Sequence, residues 1–376
     1  MNFRVFEMDG TFVGEVQDAV SFVWTRRYSQ PGAFEATLPL TQENIRLCTL
    51  DRLVWYRGAT ECCLIENRVI TDSGDEKSVR ISGRDVLCYL DRRLLLIKYN
   101  ETSSVRARTV LYHIFAPANK YMTPITGLTY RNNTAVTGAL PEGYTKGTNT
   151  SILTIAQELA TAVDCGLRSL CDLSTGSADV VVELYNGVNR SAGQKAVHPV
   201  IFSARYGNLE RASYTLNNVT TKNVAIIRGQ YGTVFTDEDT GETWTRWKTY
   251  TETVYKDGTA PTEEERRETF MWCSFEADSE EMTLSKYRSK MRQEAMDKLK
   301  GRIPVDTIDC DVLGQTQFVY RRDWDVGDIV TIQIPEWGID VDKRVTEVQE
   351  VYEQEGLRVV PTFGEALPSV LQYRRR

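Results

Sequence analysis

The chain contains only two histidines among its 376 residues, His113 and His198. A hydrolase that activates a Ser or Cys nucleophile with a His base would need one of them, and neither stands in a recognisable local signature. The sequence also has no H-E-x-x-H motif, no Cys-His cluster and no Gly-rich phosphate loop. We therefore expect no catalytic residue, no bound metal and no cofactor.

Long apolar runs and export signals are missing too. The apolar stretch at residues 94–97 is far shorter than the roughly 18 residues of a membrane span. Residues 1–10 have the pattern of a strand and a turn, without a basic-then-apolar leader. The eight cysteines show no C-x-x-C spacing. These features predict a protein that is made in the cytosol, has no membrane segment and keeps its cysteines reduced in the core.

An excess of positive charge is also lacking. With 45 basic and 52 acidic residues the formal charge is -7, which does not suit a protein that grips nucleic acid by its phosphates. The acidic cluster at residues 237–242 resembles a calcium loop only superficially, because its Gly is one position out of place, and we expect a hairpin turn there. The last three residues, all Arg, predict a frayed tail.

A strand pattern that occurs twice is the main positive signal. The first copy spans residues 51–83 and the second spans residues 327–364. Each places an Arg-Val pair in its middle strand and closes on Gly. β-branched runs bounded by Gly, Asp and Ser are typical of small barrels or sandwiches. The pattern predicts two similar β-barrels in one chain, the alternative being a chance likeness of two ordinary meanders.

The predicted fold class is mainly β with α+β insertions, because the chain is too long for one core. The predicted domains are a first barrel (1–99), a mixed α/β domain (100–199), a second barrel (200–230 and 303–366), a hairpin and helix insertion (231–302) and a C-terminal tail (367–376). Three longer helices are indicated by apolar spacing, and the last is expected to end at Gly301. Their predicted caps are Ser103 or Ser104, Thr150 or Ser151, and Asp278.

Several short motifs, in a fixed order, resemble a known family. They are Trp24-Thr25-Arg26-Arg27-Tyr28 followed by Pro31-Gly32-Ala33-Phe34-Glu35, the segment from Gly83-Arg84-Asp85 to Arg93, Phe202-Ser203 with Gly207-Asn208-Leu209, and Asp325-Val326-Gly327-Asp328 with Pro361-Thr362-Phe363-Gly364. Together they resemble the tail-tip or baseplate hub proteins of long-tailed bacteriophages. The resemblance covers most of the chain, and it depends on order and spacing because no single motif is specific.

The resemblance implies a structural role in the virion. In that family two tube-type barrels, the second interrupted by an insertion, stand side by side in each subunit, and three subunits close into a ring with six barrel positions. Edge strands of neighbouring barrels would pair into a continuous inner wall. The expected protein is a homotrimeric hub that joins the hexameric tail tube or distal tail ring to a central spike or fibre and lines the DNA exit channel.

The partners expected from this resemblance are the distal tail or tail tube protein, the tape measure protein and the central spike or fibre, while phage DNA passes without specific binding. The residues expected to have structural or interface roles are Trp24, Arg26, Gly32, Phe34, Arg84, Arg93, Gly207, Asn208, Gly327, Asp328, Arg344 and Gly364. The glycines are expected at turns with positive φ or close approach. The arginines are expected either to pair between subunits or to be solvated.

Two other function classes stay open. Trp244, Trp247, Tyr250 and Tyr255, on a hairpin predicted over residues 231–255, could stack on sugars as in a carbohydrate-binding module. A cell-wall hydrolase would have to use His113 or His198, and it is the less favoured alternative.

Overall fold

The computed structural model describes residues 2–74, 77–171, 173–175, 178–300, 302, 305–311, 317–353 and 356–364. The described chain is mainly β, with several sheets and few helices, which confirms the predicted fold class. Among the described helices, none is long and apolar enough to cross a membrane. The predicted tail at residues 367–376 and the predicted helix end at Gly301 lie outside the described residues.

The first barrel combines two sheets. Its strands are β1 (Phe3–Phe6), β2 (Phe12–Val16), β3 (Ser21–Arg27), β4 (Ala33–Pro39), β5 (Leu53–Trp55), β6 (Cys63–Leu64), β7 (Asn67–Asp72) and β8 (Lys77–Arg84), with helix α1 (Gln42–Leu47) between β4 and β5. One sheet has the order β2-β1-β5-β6, and β3-β4-β8-β7 belong to a larger sheet. Phe34, Ala36 and Leu38 of β4 are buried while Glu35 between them is exposed, so one face of this strand packs on the core.

The core of this barrel is aromatic. The ring of Phe22 stacks on Phe3 at 5.2 Å and on Trp24 at 5.8 Å between ring centroids. After β8 a 3-10 helix (Val86–Arg92) begins at Asp85, whose carboxylate accepts a 2.7 Å hydrogen bond from the backbone N–H of Leu87. Because the apolar residues of this helix are buried, it closes one end of the barrel.

The region predicted to be a mixed α/β domain, which we call the mixed domain, follows, and most of its buried residues share one core cluster with the first barrel. Its elements are β9 (Tyr99–Asn100), β10 (Val105–Arg106), α2 (Ala107–Phe115), β11 (Leu128–Tyr130), β12 (Ala139–Leu140), β13 (Thr145–Lys146), α3 (Ile152–Ala162), β14 (Gly166–Leu170) and β15 (Val180–Tyr185). Ser151 caps α3, as predicted, by accepting from Thr154 N. The predicted cap of α2 at Ser103 or Ser104 is wrong, because β10 pairs with β12 before the helix begins and Arg106 is the residue at its start.

The second barrel is interrupted by the insertion. It begins with β16 (Ile201–Ser203) and β17 (Glu210–Asn217). The insertion contains β18 (Val224–Thr236), β19 (Thr243–Tyr255), β20 (Glu268–Trp272), β21 (Ala277–Asp278) and helix α4 (Leu284–Lys300). The barrel resumes with β22 (Val305–Asp311), β23 (Ile329–Ile334), β24 (Ile339–Glu353) and β25 (Gly356–Gly364). Since β17 and β22 pair antiparallel, the insertion leaves and re-enters the barrel at adjacent strands.

The insertion is a sheet of order β19-β18-β20, to which β21 adds, with α4 on one face. Strand β18 pairs with β19 along its whole length, so residues 224–230 lie in the sheet of the insertion rather than in that of the barrel. The predicted cap at Asp278 is wrong, because this residue lies in β21 and pairs with β18. Thr283 performs that role instead, by accepting from the backbone N–H of Lys286.

The two barrels repeat one strand order within the large sheet. Along the sheet the strands follow as β17-β22-β25-β24 and then as β3-β4-β8-β7. In each half the first two strands pair antiparallel, β17 with β22 and β3 with β4. The second of these strands then pairs with the last strand of a meander, β25 or β8. That last strand pairs in turn with the strand before it in the chain, β24 or β7. The sequence pattern that occurs twice therefore corresponds to a strand order that occurs twice, and the strand at the end of one copy, β24, lies beside the strand at the start of the other, β3.

Candidate functional site at the junction of the barrels

The two barrels are joined by direct strand pairing. Strand β3 of the first barrel pairs antiparallel with β24 of the second, from Phe22 opposite Tyr352 to Arg27 opposite Glu347. Main-chain hydrogen bonds continue one step further, where the N–H of Tyr28 donates to Thr346 O at 2.9 Å. The junction therefore leaves no unpaired strand edge between the barrels, which lets one sheet run through both.

A charge cluster of two buried carboxylates and two partly buried guanidinium groups lies at this junction, and we call its members, Arg26, Glu61, Arg321 and Glu350, the junction cluster. Arg26 Nε lies 2.9 Å from Glu61 Oε1, and Arg321 Nη2 lies 2.6 Å from Glu350 Oε1. Arg321 also lies 3.5 Å from Glu61, which connects the two pairs across the barrels. Each charge has an opposite partner in a region of low dielectric, where an unpaired charge would be strongly destabilising.

Aromatic side chains complete the hydrogen bonding of the junction cluster. Glu61 accepts a 2.9 Å bond from the indole N–H of Trp24. Glu350 accepts from the hydroxyl of Tyr56 at 2.7 Å and from that of Tyr352 at 3.0 Å. Because these donors come from both barrels, the network fixes how the barrels sit against each other.

The protonation of the junction cluster follows from these partners. Burial opposes the ionisation of Glu61, yet the charges of Arg26 and Arg321 and the bonds from Thr60 and Trp24 hold the pKa of Glu61 below its usual value. Burial, reinforced by the charge of Glu350, raises the pKa of Tyr56 far above that of free tyrosine. The carboxylate of Glu61 is thus ionised and the phenol of Tyr56 is neutral at neutral pH.

The structure brings two of the predicted site residues, Trp24 and Arg26, into this junction. The side chain of Trp24 is buried and that of Arg26 is 13% exposed, and Arg26 additionally bonds Asp325 and the hydroxyl of Tyr320 of the second barrel. Phe34 packs beside Trp24 with 6.2 Å between ring centroids. These residues stabilise the interface between the barrels inside one chain.

Gly32 and Arg84 lie near the same end of the first barrel. The N–H of Gly32 donates to the Asp85 carboxylate, and a Cβ on Gly32 would come within 2.5 Å of Thr25 O. Arg84 forms a two-point ion pair with Glu66, at 2.8 Å for both bonds. Glycine at position 32 is thus required by close approach, and Arg84 is held within its own barrel.

A second group of predicted residues lies where the mixed domain meets the second barrel. Gly327 has a φ of 97°, and a Cβ there would lie 2.6 Å from the ring of Tyr28. The Asp328 carboxylate accepts from Val188 N at 2.7 Å and from Arg190 Nε at 2.8 Å. Arg344 reaches Gly327 O and Tyr28 OH, and its other nitrogen pairs with the carboxylate of Asp164.

The remaining predicted residues are scattered. Arg93 donates to backbone oxygens on the surface, and Gly207, with a φ of 62°, ends a short 3-10 turn. The buried side chain of Asn208 bridges the backbone of β16 by accepting from Ser203 N and donating to Ile201 O. Gly364, with a φ of 91°, is placed where a Cβ would lie 2.1 Å from Asp306 O.

Sequence reasoning missed Glu61, Tyr56, Arg321 and Glu350. These residues are up to 294 positions apart in the chain, and nothing in their local sequence marks them as partners. One weak signal exists, because each lies beside aromatic or strongly apolar residues that predict burial, and a buried charge requires a counter-charge.

The histidines and acidic residues show no further site. His113 Nδ1 lies 2.9 Å from the hydroxyl of Tyr99 and 3.5 Å from Glu101, an arrangement without a Ser or Cys nucleophile. His198 contacts the carbonyl of Pro199. Within the part of the chain that the structure describes, no group of three or more His, Cys, Asp or Glu side chains is placed to hold a metal ion.

The chain is similar to known bacteriophage proteins in sequence and in fold. A family model described as "Siphovirus ReqiPepy6 Gp37-like protein" matches residues 2–365, whereas no curated protein matches. The 43 kDa tail protein of prophage MuSo2 from Shewanella oneidensis has a similar fold, with 15% identity, a TM-score of 0.54 and coverage of 96% of this chain and 98% of that one.

Two further tail proteins have similar folds. The tail protein from Neisseria meningitidis MC58 has 14% identity and a TM-score of 0.53, with 96% of each chain covered. The prophage tail protein gp18 from Listeria monocytogenes EGD-e has 13% identity and a TM-score of 0.50, with 100% of this chain and 97% of that one covered. The likeness in each case extends over nearly the full length of both chains.

Proposed function

The chain belongs to the Siphovirus ReqiPepy6 Gp37-like protein family and is a structural protein of a bacteriophage tail, and from this premise we propose that it is the hub of the tail tip. Three copies close into a ring that matches a hexameric tail tube or distal tail ring on one side and a trimeric spike or fibre on the other. The ring surrounds the channel through which DNA leaves, and the tape measure protein ends at it.

The self-repeating strand order is the observation that carries this proposal. Inside one chain, β24 at the end of one repeat pairs with β3 at the start of the next. Strand β7 occupies the same place in its repeat as β24 does, and β17 occupies the same place as β3. The β7 edge of one chain therefore matches the β17 edge of the next, in the same antiparallel sense.

Strands β7 and β17 are both edge strands with one unpaired side in the described chain. In the described chain β7 pairs only with β8, and β17 pairs only with β22. Each edge exposes apolar side chains, namely Val69 (46%) and Ile70 (45%) on β7, and Tyr214 (46%) and Leu216 (64%) on β17. Exposed apolar edge strands favour pairing with another chain. Head-to-tail contacts of this kind close into a ring when the rotation per subunit is right, and three chains supply six repeats.

The face of the large sheet that points away from the barrel cores suits the lining of a channel. Its arginines pair with carboxylates on neighbouring strands, as in Arg27 with Glu347 at 2.6 Å and Arg80 with Glu35 at 3.8 Å. A cation that already has a partner attracts passing phosphates less, because part of its field is cancelled. DNA can then slide along this face without being held.

The mass of the purified protein in solution tests the proposal. We expect three copies of the 42.8 kDa chain, seen as a ring with an open centre by electron microscopy. If the isolated chain is monomeric, the same count is made in cryo-microscopy maps of assembled tail tips. A closed dimer, or a tail tip with a number of copies other than three, would rule out the hub.

A further inference from the structure

The insertion sheet is covered on one face only. Ala225, Ile227 and Tyr231 of β18 are buried against Tyr287 and Met291 of α4. Side chains alternate along a strand, so the residues between them point to the opposite face, on which Arg228 and Gln230 are exposed. This second face, which we call the aromatic face, holds Trp247, Phe270, Trp272, Arg228, Gln230 and Thr249.

The rings of the aromatic face are exposed and oriented. Trp247, Phe270 and Trp272 have 47%, 50% and 55% of their surface exposed. Trp247 lies opposite Gly232, and a Cβ on that glycine would meet Cζ3 of Trp247 at 3.3 Å. One edge of the indole thus lies close to this glycine, and the exposed part of the ring is available for stacking.

Polar groups lie between the two tryptophans. Trp272 is opposite Arg228, Thr249 is opposite Gln230, and Trp247 is opposite Gly232. Four residues along β18 and two strand spacings across separate the tryptophans by about 16 Å. The guanidinium of Arg228 is held 5.5 Å from the centre of the Phe270 ring. The aromatic face therefore has a tryptophan on each outer strand and hydrogen-bonding groups between them.

Charge limits what can bind to the aromatic face. Arg228 is a single cation on it and the acidic Glu268 lies next to Phe270 on the same face of β20, whereas single-stranded nucleic acid needs a row of cations. An extended, neutral ligand with many hydroxyl groups and apolar ring faces matches these features.

We propose that the aromatic face binds a neutral oligosaccharide, whose sugar rings stack on Trp247 and Trp272 while its hydroxyls bond Arg228, Gln230 and Thr249. The site differs from the one predicted from sequence, since Tyr250 packs against Tyr231 on the α4 side of the sheet, 6.3 Å between ring centroids, and Trp244 stacks on Phe235. This binding function is independent of ring formation by the barrels.

To test the proposal, the full-length protein is screened against neutral saccharides on a glycan array, and the saccharides that bind are confirmed by calorimetric titration. Trp247→Ala and Trp272→Ala should each weaken the binding of a confirmed saccharide by roughly tenfold or more. Trp337→Ala removes a similarly exposed tryptophan elsewhere and should leave the affinity unchanged. Because all three side chains are exposed, circular dichroism should find every variant folded.

The proposal is overturned if no neutral saccharide binds, or if binding survives the loss of both Trp247 and Trp272. It is also overturned if Trp272→Glu dissociates the ring, since the aromatic face would then be a subunit contact. A protein that binds sugar but is present in assembled tail tips in a number other than three would refute the hub and leave this site in place.

Discussion

Tyr56 of the first barrel donates a 2.7 Å hydrogen bond to Glu350 of the second barrel, and both side chains are almost completely buried. The bond places a carboxylate of one barrel among the aromatic rings of the other. Arg321, which pairs with this carboxylate, has a φ of 66°, a conformation that costs a residue with a side chain about 1–2 kcal/mol. The pairing energy of the junction cluster offsets that strain.

Arg321→Met should therefore lower the free energy of unfolding by about 3–5 kcal/mol, because Glu350 and Glu61 would remain buried without their shared cation. Chemical denaturation measures the loss. Arg46→Met is the matched control, since Arg46 and Glu43 form an exposed pair on α1 whose loss should scarcely change the free energy of unfolding. Equal losses in the two variants would contradict a stabilising role for the junction cluster.

Lysine on the free edges should prevent ring closure. Val69→Lys on β7 and Leu216→Lys on β17 each place a charge where two chains would pair, so we expect monomers in light scattering where the wild type is trimeric. Leu357→Lys is the control, because Leu357 is similarly exposed but belongs to β25, an interior strand of the sheet. Trimers in both edge variants would show that the ring closes through other surfaces.

The stability of the first barrel should depend on pH through Asp85. Burial raises the pKa of Asp85 to about 7, although hydrogen bonds from the N–H groups of Gly32 and Leu87 oppose the shift. The folded chain thus holds a proton that the unfolded chain releases above its ordinary value of 3.8. The contribution of Asp85 to stability is complete below that pH and is lost as pH rises through about 7.

Asp85→Asn removes this titration but keeps the side-chain shape. It loses the bond from Gly32 at every pH, so a constant penalty is expected. The difference in unfolding free energy between wild type and variant should shrink by up to about 4 kcal/mol between pH 4 and pH 8, which corresponds to about three pKa units. Parallel stability curves over that range would mean that Asp85 is ionised throughout.

Two glycines with positive φ should differ sharply on substitution. Gly327→Ala combines a left-handed backbone with a Cβ only 2.6 Å from the ring of Tyr28, and we expect a loss of about 3 kcal/mol or more. At Gly207 no atom lies within 4 Å of the added Cβ, so Gly207→Ala should cost about 1–2 kcal/mol from backbone strain alone. Thermal denaturation distinguishes the two, and similar losses would contradict the steric argument.

The sequence predicted what is local and periodic. Alternation and Gly-bounded turns were enough for the two meanders, and Ser151 was recognisable as the cap of α3. The start of α4 was misplaced because a local cap at Asp278 cannot reveal that this residue pairs with β18. The junction cluster was missed for the same reason, since an ion pair between residues 61 and 321 leaves no periodic trace.

The pairing of β3 with β24 also affects how the protein is made. Arg27 and Glu347 face each other across the junction but are separated by 320 residues. At about 5–20 residues per second, translation needs roughly 15–65 s to cover that distance. Throughout this interval the nascent first barrel has an open flank at β3, so chaperone protection on the ribosome would be most useful before residue 347 emerges.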